Sequence, residues 1–184
     1  MKNKASILIG ILVISLLGNS YLITKLNNYQ NTTEIVRFDQ YTSFFNALRV
    51  YSANLDYLLN EDLTDAKINH EISRLQEDVN ALVSYARSYG MLHRNDKTNM
   101  TGIIWDLAMS SNWIYQEYLL NIDSYYNHKK EVADLNKIIN EIVRLENNTY
   151  SQMRSSSKGF DEKTMSEILY PKAMNAAEMT ILAK

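Results

Sequence analysis

No glycine or proline occurs between Tyr21 and Tyr89. The two residues that most often interrupt a helix are missing from more than a third of the chain, and such a span favours long helices over strands and tight turns. The apolar residues inside it recur at helical spacing. Phe38, Tyr41, Phe45, Leu48, Ser52, Leu55 and Leu59 step by threes and fours, with Phe44, Tyr51 and Leu58 widening the face, which predicts a first helix over about Thr33 to Asn60. Ile68, Ile72, Leu75, Val79, Leu82, Ala86 and Tyr89 keep the same repeat in a second helix. Glu61 to Asp65 is the turn between them, with Asp62 or Thr64 as the cap. Gly90 stands just past the last repeat position, where a left-handed glycine would stop the helix, and Met91 to Lys97 reads as a polar loop.

The pattern continues in two further helices. A third is expected from Thr98 or Asn99 to Tyr126, with Ile104, Leu107, Ser111, Ile114, Tyr118 and Ile122 on one side and Trp105, Ala108, Tyr115 and Tyr125 beside it. Asn127 can cap a fourth, in which Val132, Leu135, Ile139, Ile142 and then Leu145 or Glu146 carry the apolar face to about Met153. Lys130/Asp134 and Lys137/Glu141 are spaced for exposed ion pairs on it. Rods of matched length with short connections pack as an antiparallel bundle. Arg154 to Gly159 reads as a linker; after it, Thr164 to Glu167 has the form of a capping box that opens a short helix, which Pro171 stops or kinks before a last turn through Ala183. Met165, Ile168, Leu169, Met174, Met179, Ile181 and Leu182 give this tail an apolar side expected to lie on the bundle, with a partner as the alternative.

Ahead of the bundle, Ile7 to Ile23 is an apolar run preceded by Lys2 and Lys4, and no acidic residue occurs before Glu34. The positive-inside bias puts residues 1–5 in the cytoplasm and the body outside. Ala5 to Ile23 would span about 28 Å as a helix, close to the ~30 Å hydrocarbon core. The run therefore reads as an uncleaved anchor that meets the lipid bilayer through Ile7 to Ile23. The alternative is a signal peptide cut ahead of Tyr21, after Gly18-Asn19-Ser20, which would release a secreted protein. The expected fold class is all-α: an N-terminal membrane helix or signal peptide, then an extracytoplasmic antiparallel four-helix bundle with a short C-terminal helical tail. The expected bounds are 1–5 cytoplasmic, 6–24 transmembrane signal-anchor, 25–155 bundle ectodomain, and 156–184 linker and tail.

Composition excludes more than it assigns. Beyond Lys25 there are 16 basic and 21 acidic side chains, and the only adjacent basic pair is Lys129–Lys130. Nucleic-acid binding, which needs clustered cations to displace phosphate counterions, is not expected. The chain has no cysteine, so disulfides and thiolate metal sites are excluded. His70, His93 and His128 lack the Glu-x-x-His and His-Glu-x-x-His spacings of metal-binding helices, and no Gly-x-Ser-x-Gly or phosphate-cradling glycine loop occurs. No cofactor or metal is expected. Frequent Asn, Ile, Lys and Tyr fit the codon bias of an AT-rich bacterial genome, so individual asparagines read as background. The 13 tyrosines read mainly as core and rim. If a ligand or partner site exists, the partly polar layer of Ser52, Ser111, Tyr115 and Tyr118 is its expected place, because serine in an apolar seam leaves space and a hydrogen-bonding group.

Three functional readings follow. The first is a non-enzymatic anchored bundle that binds an envelope protein, a small ligand or itself as a homo-oligomer. The second is an enzyme with an unrecognised site, which a cleft with at least three converging polar side chains would favour. The third is a structural stalk, which would show a smooth surface.

Overall fold

The computed structural model describes residues 2–92, 98–155 and 160–182, and the side chains within them except at 2–14, 16, 17, 29–31, 33, 34 and 180–182, so that Ile181 and Leu182 of the expected apolar tail face lie outside the described side chains. Among the described residues the chain is all-helical: α1 (Lys2–Asn60), α2 (Asp65–Leu92), α3 (Met100–Tyr118), α4 (Ile122–Asn127), α5 (Lys129–Ser155) and α6 (Glu162–Leu182). The chain divides into two compact units, 1–39 and 40–184. The first holds the N-terminal part of α1. There Tyr21, Leu22, Ile23 and Leu26 are exposed, and the hydroxyls of Thr24 and Thr32 donate to the carbonyls of Ser20 and Asn28. Most side chains of the Ile7–Leu17 stretch lie outside the described residues, and among those described no helix is long and apolar enough to cross a membrane.

In the second unit the seam read from the sequence is the core. All seven repeat positions of α2, from Ile68 to Tyr89, are buried, as are Tyr41, Phe44, Phe45, Leu48, Tyr51, Leu55 and Leu58 of α1. Each fully buried side chain of this size stabilises by about 1.5–3 kcal/mol. The turn closes at Thr64, whose carbonyl accepts from the Ile68 N–H at 2.9 Å. Tertiary hydrogen bonds fix the helix directions. As α1 advances from Arg49 to Asp56, its partners on α5 step back from Glu146 to Asn136, so the two helices are antiparallel. Tyr125 in α4 donates to the Leu58 carbonyl at the other end of α1 (2.8 Å). α3 packs on α2, while α6 packs along both α3 and α5.

Four details differ from the sequence expectation. α2 runs through Gly90 to Leu92, and Gly90 is itself helical rather than left-handed; a Cβ there would meet only the Thr101 methyl at 3.6 Å, an ordinary contact. The third helix is interrupted after Tyr118. Asn121 accepts from the Ser124 N–H through its side chain (2.9 Å) and starts α4 as a new helix, a local bond that competes with helix continuation and needs no glycine or proline. The C-terminal segment is a helix of 21 residues rather than a short tail, with Met165, Leu169, Ala173 and Ala176 in the core. Its cap is Asp161, one turn before the anticipated box: the Asp161 carboxylate accepts from the Lys163 N–H (3.1 Å) and the Thr164 hydroxyl (2.6 Å), bonds that hold it below the usual carboxylate range. Pro171 lies inside α6. The carbonyl four residues back, at Glu167, loses its helical donor, but both residues are exposed and water can replace it. Most of the linker Arg154–Gly159 and of the loop Met91–Lys97, with His93, together with Ala183, lies outside the described residues.

Candidate functional site

The polar chemistry of the helical unit 40–184 gathers where α1 meets α5. Ser52 and Asp56 are four residues apart on α1, and Asn136 and Asn140 four apart on α5, so each pair shares a helix face and the two faces oppose one another. The Asp56 carboxylate accepts from the Asn136 amide (2.6 Å) and from the Asn140 amide at both oxygens (3.2 Å each). The Ser52 hydroxyl lies within donor distance of both amide oxygens, 2.9 Å from Asn136 and 2.8 Å from Asn140. One hydroxyl proton serves two acceptors, so the bond is shared between them. Flipping either amide would turn its oxygen onto the carboxylate, so Asp56 fixes the orientation of both. The asparagines dismissed as background thus form the polar centre of the interface: Asn136 is 2% exposed.

Three of the four, Asp56, Asn136 and Asn140, line an open groove of about 800 Å³ and form its floor, with Ser52 bonded behind the two asparagines. Its rim is basic: Lys129, Lys130, Lys137 and Arg144 all line it, against Glu141 as the one rim carboxylate. Lys130, Lys137 and Arg144 recur every seven residues on α5, which spaces them about 10 Å apart along one ridge. The intrahelical pairs expected at Lys130/Asp134 and Lys137/Glu141 do not form. Glu141 instead bonds Lys172 of α6 at 2.6 Å, and that hydrogen bond, with the ammonium charge behind it, holds its carboxyl below the usual range. Among the described residues no carboxylate lies within ion-pair distance of Lys129, Lys130, Lys137 or Arg144.

A second polar cluster is closed rather than open. Glu146, at 2% exposure, is the charged residue on the α5 seam; it takes a hydrogen bond from the Tyr41 hydroxyl (3.0 Å) and pairs with Arg49. Burial, and then the charge of Glu146, push the Tyr41 hydroxyl far above its ordinary range. Asp78 is also raised, by desolvation, though it accepts from the Asn54 amide at 2.6 Å; Asp106 is raised by burial. Neither lines the α1–α5 groove.

The residues singled out from the sequence go to different places. Ser52 reaches the floor of the groove through its asparagine partners. Ser111 is buried on α3 and returns its hydroxyl to the Leu107 carbonyl (2.9 Å). Tyr115 is buried, and the half-buried Tyr118 stacks on His128 with ring centroids 4.3 Å apart and packs edge-on against Trp113. None of these three lines the groove. Tyr41, Tyr51, Tyr89 and Tyr125 are core, whereas Tyr57 and Tyr85 are exposed. Among the described residues, no group of three or more His, Asp or Glu is placed to hold a metal ion. No protein-family model, curated protein or solved structure matches this chain.

Proposed function

We propose that the protein is a membrane-anchored, non-enzymatic binding module, held by Ile7 to Ile23 with its helical bundle outside the cytoplasm, and that the α1–α5 groove receives its ligand or partner. The observation that carries the reading is the groove itself: an open cleft whose floor, Asp56, Asn136 and Asn140, is held by hydrogen bonds and whose cations, among the described residues, have no carboxylate within ion-pair distance. A stalk would have no reason to keep such a feature. The anchor rests on the apolar run Ile7 to Ile23 of the sequence and on the exposure of Tyr21, Leu22 and Ile23, which spread over about 200° of the helix circumference. Apolar side chains spread so widely round a helix are stabilised by an apolar surrounding.

The convergence of Asp56, Asn136 and Asn140 in a cleft also favours the second reading, an enzyme, by the criterion of three converging polar groups. The bonding pattern weighs against it. The only hydroxyl in the set, Ser52, donates to amides rather than to a base, so no nucleophile–base pair is assembled. Photocrosslinkers placed at Lys130 and Arg144 in native membranes, with affinity purification and native mass spectrometry, test the module. A defined partner, oligomer or co-purified ligand is expected from these positions and not from Glu77 on α2. A protein that remains monomeric and ligand-free throughout would refute the reading.

A further inference from the structure

The charge of the groove specifies what it takes. The bundle is acidic overall, with 21 acidic against 16 basic side chains beyond Lys25, yet this cleft collects four cations against Asp56 and Glu141. Both acids are already engaged: Asp56 by the asparagine amides, Glu141 by Lys172. The amide clamp matters because it satisfies Asp56 without using a rim cation, which leaves the rim charges for something else. α5 also begins at Lys129, so the positive end of its dipole adds to the same end of the cleft. Resting on the binding-module reading, we infer that the groove is a site for a small polyanion, an organic phosphate or polycarboxylate whose charged groups lie up to about 10 Å apart, bridging neighbouring cations of the Lys130–Lys137–Arg144 ridge. A volume of about 800 Å³ suits a small molecule rather than a folded partner.

The test uses the full chain in nanodiscs of neutral phosphatidylcholine, titrated calorimetrically with pyrophosphate and with citrate. Saturable binding at one site per chain is expected, weakened about tenfold or more by Arg144→Glu and by the Lys130→Glu/Lys137→Glu pair, and weakened further by salt. Lys67→Glu and Lys163→Glu, exposed lysines outside the groove, should change nothing. Asp56→Asn removes the repelling floor charge and should leave affinity equal or higher, with helicity by circular dichroism as the check on folding. Absence of saturable binding, equal weakening by the control lysines, or loss of binding in a folded Asp56→Asn protein would each overturn the inference. If pyrophosphate is displaced when anionic phospholipid is added to the discs, the phosphate comes from a lipid headgroup; if not, from a soluble ligand. A silent titration alongside a recovered protein partner would sink the polyanion while leaving the binding module standing.

Discussion

The helical core should be unusually vulnerable to alkali, and the extent can be worked from two tyrosines. Tyr41 and Tyr51 are 2% and 0% exposed, and burial drives both hydroxyls far above their ordinary range. Because the folded pKa is the higher one, the folded state keeps protons that the unfolded chain releases above about pH 10. Their contribution is therefore intact below pH 10 and is withdrawn as the pH rises beyond it. Each site withdraws about 1.4 kcal/mol per pH unit, so the pair removes about 5 kcal/mol by pH 12. A domain of this kind holds roughly 5–15 kcal/mol in total, so cooperative unfolding is expected within about two to three pH units above 10. The assay follows tyrosinate absorbance and far-ultraviolet circular dichroism on the same samples. A block of tyrosines should ionise in step with loss of helix, and Tyr51→Phe should flatten the pH dependence by about 1.4 kcal/mol per unit. If all tyrosines ionised in one smooth titration near pH 10 with helicity unchanged, the burial argument would be wrong.

Arg49→Met removes the cation from the buried Glu146 carboxylate and should destabilise by about 3 kcal/mol in urea unfolding, toward the low end for a buried pair because Arg49 itself reaches solvent. Adding Glu146→Gln to that variant should recover much of the loss, since the uncompensated charge goes while the Tyr41 hydroxyl keeps an acceptor. Gly90→Ala should raise stability by about 0.5–1 kcal/mol, because the backbone there is helical and the methyl has room; a loss would mean that the left-handed stop had been the right reading. Asn136→Leu strips one clamp from Asp56 and one acceptor from Ser52 and should cost about 2 kcal/mol by the same assay.

How much of this was legible follows from where each signal resides. α2 could be read almost residue by residue because its repeat has no exception and every seam position is buried. α6 was underestimated because its core contribution includes small residues, Ala173 and Ala176, and because Pro171 suggests a stop that the exposed face tolerates. The interruption after Tyr118 rests on one side-chain bond from Asn121, and asparagine is too common in this chain to stand out. Ser52 stands out in the sequence as a polar gap in a seam, but its partners lie 84 and 88 residues away, so nothing local names them. The available sign was the pairing of two i, i+4 polar sets, Ser52/Asp56 and Asn136/Asn140, each flanking an apolar seam. The layer of Ser111, Tyr115 and Tyr118 was proposed from helix faces alone, and the face carrying Ser111 and Tyr115 turned inward.

The amide quartet is hard to explain as a stabilising device. Its neutral bonds contribute about 0.5–1.5 kcal/mol net and those accepted by the carboxylate about 1.5–3 kcal/mol, against the cost of desolvating the charge, and apolar side chains of similar size would serve the α1–α5 contact about as well. What apolar residues could not do is hold a carboxylate at the floor of a cleft while keeping it from neutralising the lysines and arginine above. If Asp56 were free to swing, the nearest rim cation would be its natural partner and the positive character of the groove would fall. With the carboxylate bonded at both oxygens, the cations stay in solvent on an otherwise acidic bundle. A field of that form repels anions from most of the surface and draws them to one ridge, which raises encounter rates at low ionic strength. The arrangement therefore makes sense as the means by which an acidic helical protein keeps one basic site open, and the asparagines are the residues on which that depends.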